Sequence, residues 1–222
     1  RTLAPTPLFE WPGLGSLFNG RFLAKHENHL PVGAFKVRGG LNLVATLSDA
    51  DRQAGLLGCS TGNHGQSLAM AAKQAGIACT IVVPVGNNPG KIDAMKRLGA
   101  TVIEHGADFD AARKYIEEEL DADGARYVHS ANEPALIAGV GTIAHEIFQD
   151  CPDPDVILVP IGLGSGICGT GIVARACRPN TQVIGVQSAG ASAVSDTWRS
   201  GQWTTTETAD TWAEGIATRV PA

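Results

Sequence analysis

A lysine set among small and apolar residues, in Gly33-Ala34-Phe35-Lys36-Val37-Arg38-Gly39, is the first group in this chain equipped for covalent chemistry. In a pocket of that composition its amine loses hydration, deprotonates more easily and becomes a nucleophile of the kind that forms Schiff bases. A lone lysine is ordinarily a solvated surface charge, but two glycine-rich segments follow it. Ser60-Thr61-Gly62-Asn63-His64-Gly65-Gln66 lies at a distance that suits one shared pocket. Further on, Asp155-Val156-Ile157-Leu158-Val159-Pro160 leads into Ile161-Gly162-Leu163-Gly164-Ser165-Gly166-Ile167-Cys168-Gly169, a strand, a glycine loop and a helix start. Such a loop offers backbone N–H groups and the positive end of a helix to an anion, so phosphate binding follows physically. Gly164-x-Gly166-x-x-Gly169 also matches the dinucleotide fingerprint of nicotinamide and flavin oxidoreductases. That fingerprint wants an acidic residue ending the next strand, and here the strand ends in Gln187. A turn serving only close helix-on-strand packing is the third reading.

Elements that could position these groups alternate along the chain. Short apolar runs at 55–59, 79–83, 101–104, 156–160 and 183–187 read as strands buried on both faces. Segments 65–74, 91–98, 110–120, 136–148 and 167–176 carry apolar residues at helical spacing. Strand–helix alternation predicts an α/β protein with largely parallel sheets. Turn-rich connections stand at 84–90 and 150–155.

Composition narrows the partner. The 222 residues suffice for one large domain or two modest ones. With 44% hydrophobic and 18% charged residues, the chain reads as globular rather than disordered. A net charge of -5 without a basic run argues against nucleic acid and against an anionic membrane, leaving a small molecule as the expected ligand. Five cysteines without a C-x-x-C pair indicate neither a disulfide framework nor a zinc cluster and suit a reducing cytoplasm. No membrane-length apolar run and no signal-peptide pattern is present.

Taken together, the lysine motif, the 60–66 loop and the late glycine loop resemble, in type and order, the threonine and serine dehydratase branch of the fold-type II pyridoxal-phosphate enzymes. Pro5-Thr6-Pro7-Leu8, Lys25-His26-Glu27-Asn28 and Gly139-x-Gly141-Thr142-x-x-x-Glu146-Ile147 extend the resemblance over nearly the whole chain. Arg38 and His64 favour this branch over the similar cysteine synthases. The resemblance implies a two-lobed α/β fold, with a large cofactor-binding domain from 1–54 and 133–222, a small domain at 55–132 and the site in the cleft between them. It also implies pyridoxal 5'-phosphate held by Lys36 through a Schiff base, with Phe35 packed on the pyridine ring and Asn63 bonded to the ring oxygen. Gly162, Leu163, Gly164, Ser165 and Gly166 would cradle the phosphate, while Ser60, Thr61, Gly62, Asn63 and His64 would bind the substrate carboxylate. His64 is expected to position rather than to transfer protons. The implied reaction converts L-threonine or L-serine, or a similar β-hydroxy amino acid, to a 2-keto acid and ammonia. A homo-oligomer is the expected assembly. β-Replacement by a thiol, racemisation and a non-catalytic cofactor-binding module remain alternatives.

Departures from the family pattern bear on chemistry. Ala34 replaces the usual serine, and Leu163 and Ser165 interrupt what is often a run of four glycines, with the Ser165 hydroxyl offering an extra phosphate donor. Thr61 stands where racemases similar to this family place a serine hydroxyl opposite the lysine, so it is the second candidate catalytic residue; capping the following helix is the simpler reading of its hydroxyl. Gln187 and Ala193 stand where some relatives carry carboxylates for a divalent cation, so no metal site is expected. The resemblance also implies that family members continue beyond Gly215 to a polar partner for the pyridine nitrogen, which has no match before Ala222.

Overall fold

The computed structural model describes residues 3–118, 120 and 124–221. Strand β1 (Leu8–Glu10), helix α1 (Pro12–Phe18) and strand β2 (Leu23–Lys25) open the chain, β1 and β2 pairing antiparallel. Helices α2 (Lys36–Thr46) and α3 (Asp49–Ala54) lead to an alternating run: β3 (Leu56–Cys59), α4 (Asn63–Ala75), β4 (Cys79–Val83), α5 (Pro89–Arg97), β5 (Thr101–Glu104), α6 (Phe109–Glu118) and β6 (Arg126–Tyr127). The chain goes on through α7 (Pro134–Val140), α8 (Thr142–Asp150), β7 (Val156–Pro160), α9 (Ser165–Cys177), β8 (Gln182–Val186) and α10 (Ala193–Ser200). β3 to β6 form one parallel sheet in the order β5-β4-β3-β6, and β7 and β8 form a parallel pair.

Local chemistry accounts for several boundaries. Ser48 caps α3, accepting from the Asp51 amide, and Asn88 caps α5 ahead of Pro89. Gly76 ends α4 at φ 68°, in the left-handed region that favours glycine. The main core forms where Leu43 of α2, Leu68 of α4, Leu56 of β3 and Ile81 of β4 meet, all at most 1% exposed.

Several expectations are corrected. The helix expected at 136–148 is two helices that meet at Gly141. There Thr142 Oγ1 donates back to the Gly139 carbonyl at 2.7 Å, competing with the helical ladder, and Gly141 packs against Gly169 of α9. The strands are not all buried on both faces: β3 is, but β5 is an edge strand, and the β7–β8 pair leaves Val156, Leu158, Ile184 and Val186 exposed on one face. α2 is absent from the predicted elements because Gly39 and Gly40 lower its helix propensity. Part of the expected 110–120 helix, residue 119, lies outside the described residues.

Those same glycines explain why α2 forms anyway. A Cβ on Gly39 would sit 2.9 Å from the Leu136 carbonyl oxygen of α7, and one on Gly40 would sit 2.9 Å from the Ser67 carbonyl oxygen of α4. Backbone approach on both sides fixes α2, and with it Lys36, between two helices. Gly39→Ala is therefore expected to lower the unfolding free energy by about 1–3 kcal/mol through overpacking. Urea denaturation with an unchanged midpoint would show that the helices separate freely.

Candidate active site

Lys36 is the first residue of α2, directly after a tight turn in which Val32 adopts φ 64° and Gly33 φ 65°. Positive φ is strained for a β-branched residue, so this turn is held by its surroundings rather than by local preference. The Lys36 amine donates to the Ser130 carbonyl at 2.8 Å and to Ser165 Oγ at 2.8 Å, and lies 5.4 Å from the centre of the Phe35 ring. Burial pushes its pKa down to about 8. Both acceptors are uncharged, so no opposing charge offsets that loss of hydration. Ser67 Oγ of α4 donates to the Lys36 carbonyl at 2.7 Å, tying the backbone here to the helix behind it.

The amine belongs to a cavity of about 620 Å³ lined by both glycine-rich loops. On one side, Ser60 to Gly62 lead into α4, with Ser60 Oγ accepting from the Gly62 amide at 3.1 Å. Asn63 opens the helix and is exposed, as is Thr61. His64 is buried, and its Nε2 meets the Val128 carbonyl at 3.3 Å, so the proton of the neutral ring resides on Nε2. Burial, with Lys36 nearby, drives its pKa down to about 3, which keeps the ring neutral. Thr61 does not cap α4, contrary to the simpler reading: Gly62 holds the N-cap position without a side-chain hydrogen bond, and the Thr61 hydroxyl has no partner among the described residues.

On the other side, Gly162 to Gly164 form the turn after β7, and Ser165 and Gly166 open α9. Gly164 adopts φ 112°, and a Cβ on Gly162 would come within 3.0 Å of the Gly215 carbonyl oxygen. A Cβ on Gly166 would lie 3.7 Å from the Phe35 ring. Gly162 and Gly164 thus need to be free of side chains, and the loop opens a helix of thirteen residues. The free N–H groups at such a start suit the phosphate of pyridoxal phosphate, and the deprotonatable lysine beside them suits its aldehyde. The residues present fit that group.

Some lining residues escaped sequence reasoning. His129 Nδ1 accepts from the Ala131 and Asn132 amides at 3.2 and 2.9 Å, which places its ring proton on Nε2; burial lowers its pKa. Arg219 bridges Asp108 and Asp110 at 3.0 and 2.8 Å, Lys91 pairs with Glu214, and Thr218 Oγ1 donates to the Gly162 carbonyl at 3.2 Å. The segment from Glu214 to Arg219 thereby joins the phosphate-type loop to the rim near α5 and α6. No motif marks these residues, and Ser130 acts through its backbone carbonyl, which carries no sequence signal. Among the described residues, no group of three His, Cys, Asp or Glu side chains is arranged to hold a metal ion, and all five cysteines are free.

Arg38, two residues beyond Lys36, anchors the site from behind. It forms paired hydrogen bonds to Glu27 at 2.7 and 2.8 Å and to Glu146 at 2.8 and 2.8 Å. Lys25 adds an ion pair to Glu146 at 2.8 Å, and Thr6 donates to Glu27 at 2.7 Å.

A lysine nucleophile between two helix starts receptive to anions, on an α/β framework, defines an enzyme site for anionic small molecules. Residues 1–222 match the family model described as pyridoxal-phosphate dependent enzyme, and the chain belongs to that family. It is 38% identical over 208 residues to the L-threonine ammonia-lyase of Thermotoga maritima, an alignment covering 94% of this chain and 52% of that protein. Among solved structures, it superposes on the processed form of threonine deaminase isoform 2 from Solanum lycopersicum with a TM-score of 0.93 at 31% identity, covering 99% of this chain and 60% of the other. A pyridoxal 5'-phosphate-dependent aspartate racemase gives a TM-score of 0.91 at 31% identity, with 99% and 69% coverage. The chain thus spans about half the length of the L-threonine ammonia-lyase it matches. The family match sets aside the dinucleotide reading of the glycine loop, and the fold is that of the fold-type II enzymes.

The Arg38 cluster predicts acid behaviour. Burial raises the Glu146 pKa, but hydrogen bonds from Arg38 and Lys25 outweigh it and bring the carboxyl down to about 2. A carboxyl depressed below its ordinary value stabilises the fold above about pH 4.5, and that contribution is lost as pH falls toward 2. Urea unfolding between pH 7 and pH 2.5 should show Glu146→Gln less stable than wild type at neutral pH, with the gap closing on acidification. A constant gap would contradict the assigned ion pairing.

Proposed function

We propose that the protein is a pyridoxal-phosphate-dependent ammonia-lyase that converts L-threonine or L-serine, or a similar β-hydroxy amino acid, to a 2-keto acid and ammonia. The carrying observation is the Lys36 amine, easily deprotonated and placed in one cavity with two anion-receptive helix starts. The names of the similar threonine ammonia-lyase and threonine deaminase favour this substrate class.

In this reading Gly162, Leu163, Gly164, Ser165 and Gly166 hold the cofactor phosphate, Phe35 packs against its ring and Asn63 bonds its ring oxygen. The bound cofactor supplies the electron sink that makes the substrate α-proton removable. The N–H groups at the start of α4, with Ser60 to His64, receive the substrate carboxylate at the positive end of the helix. Lys36, neutral above its lowered pKa, takes the α-proton at Nζ and, as the ammonium, gives a proton to the departing β-hydroxyl. His64, kept neutral and bonded to Val128, holds the shape of the loop without adding a charge. Departure of the β-hydroxyl as water leaves an enamine that hydrolyses to the keto acid and ammonia.

The same reading assigns residues 55–132 to a small domain and 1–54 with 133–222 to a large one; the four-stranded sheet falling wholly within the former supports the division. Five free thiols suit a reducing, cytoplasmic setting. Exposed Leu17 and Phe18 of α1 are consistent with association of copies into a homo-oligomer.

The holoprotein, studied as the longest natural chain containing these residues, should release 2-oxobutyrate from L-threonine and pyruvate from L-serine. Lys36→Ala should lower keto-acid output by at least about a thousandfold. Near-normal output from that variant would reject the assignment.

Racemisation is the second reading, favoured by one observation: the Thr61 hydroxyl is exposed and caps nothing. Chiral analysis of serine after incubation distinguishes the two. The lyase reading expects little D-serine, whereas D-serine accumulating as fast as pyruvate, and lost in Thr61→Ala, would establish racemisation.

A further inference from the structure

We propose that Ser165 is a positioning residue for the Lys36 amine, its hydroxyl oxygen accepting from Nζ so that, together with the Ser130 carbonyl, it fixes the one direction from which Nζ can exchange a proton with a ligand. The inference rests on the lyase reading for its meaning in turnover, but its geometry is independent of that reading. Lys36 Nζ lies 2.8 Å from each oxygen, and the two acceptors come from segments remote in sequence. A carbonyl can only accept, so the Ser130 contact uses one N–H in every protonation state. Ser165 takes a second. The neutral amine then has both hydrogens engaged and a single lone pair left, and the ammonium has a single free N–H along the same direction. Without Ser165 the amine could rotate about the remaining bond, and the lone pair would sweep a cone.

Ser165 is itself well fixed. It is the first residue of α9, 4% exposed, and directly follows the turn after β7. Its hydroxyl oxygen is occupied by Lys36, yet its own proton has no acceptor among the described residues. A buried hydroxyl proton calls for an acceptor. The oxyanion that the loop is shaped to receive is the natural one, so the hydroxyl would stand between the lysine and the bound phosphate. The expected role of Ser165 as an extra phosphate donor is thereby extended: one side chain serves both groups.

An accepting oxygen stabilises the ammonium form over the amine. Removing it must therefore lower the Lys36 pKa further, whereas a hydroxyl that donated to the lone pair would have the opposite effect. The test is a pH titration of the Lys36 Nζ resonance by NMR in the cofactor-free protein labelled with 15N-lysine, the signal being assigned by its loss in Lys36→Met. Ser165→Ala and Ser165→Gly should each shift the midpoint downward by about one pH unit, a tenfold change in the amine-to-ammonium ratio. Two variants guard against a folding failure in either, and circular dichroism checks that each retains its helices. A midpoint unchanged within about 0.2 units, or moved upward, in the folded variants would overturn the proposal. No substrate or turnover enters the titration. A protein that produced no keto acid but showed the downward shift would lose the lyase reading and keep this one.

Discussion

The site depends most heavily on the buried ion cluster centred on Arg38. Its guanidinium is saturated by two carboxylates far apart in sequence, Glu27 and Glu146, with Thr6, Lys25 and Thr142 completing the set. Such a cluster costs considerable desolvation, and breaking it by removing one partner leaves an uncompensated buried charge. Its effect is therefore chiefly one of specification: the amino-terminal segment, α2 and α8 can meet in one arrangement only. Because Lys36 lies less than a helical turn before Arg38, that arrangement also determines where the amine is.

Glycine contacts supply the other half of the constraint. Gly39 and Gly40 let α2 press against α7 and α4, and Gly139 returns the contact against the Arg38 backbone. Ion pairing fixes the position of α2 along its axis, while backbone-to-backbone packing fixes its depth. A site whose lysine must meet both Ser130 and Ser165 at 2.8 Å tolerates little slack in either direction.

Much of this was legible in the sequence for identifiable reasons. Lys36, the 60–66 loop and the glycine loop are contiguous motifs whose backbone chemistry is encoded locally. The segments around Thr6, Glu27 and Glu146 were visible only as separate pieces of a family resemblance; that they converge on Arg38 is a tertiary fact, with up to 140 residues between hydrogen-bonded partners. Strands β3 and β4 were readable because burial on both faces leaves an uninterrupted apolar run. α2 was not, because its glycines are chosen for packing against the local propensity they reduce. β7 and β8 read as fully buried because their sequences are apolar throughout, although one face of the pair is open in this chain. His129, Lys91 and Arg219 line the cavity through single side chains on irregular segments, where no period exists to reveal them.

Lys36 and Arg38 show how one short helix creates two opposite electrostatic outcomes. Both are buried cations, and for both burial works against charge. Arg38 overcomes it through hydrogen bonds to Glu146 and Glu27, and its charge is held more firmly than in water. Lys36 meets only a carbonyl and a hydroxyl, acceptors that orient the amine without opposing charge, so its proton is loosened. Exchanging those partners would fail on both counts: a carboxylate beside Lys36 would lock it as ammonium, and a neutral environment at Arg38 would leave a permanent charge unpaired, since guanidinium does not deprotonate. The electrostatics of the site follow from this separation, in which the carboxylates of the cluster are committed to Arg38 and Lys25 and none is left to hold the proton on Lys36.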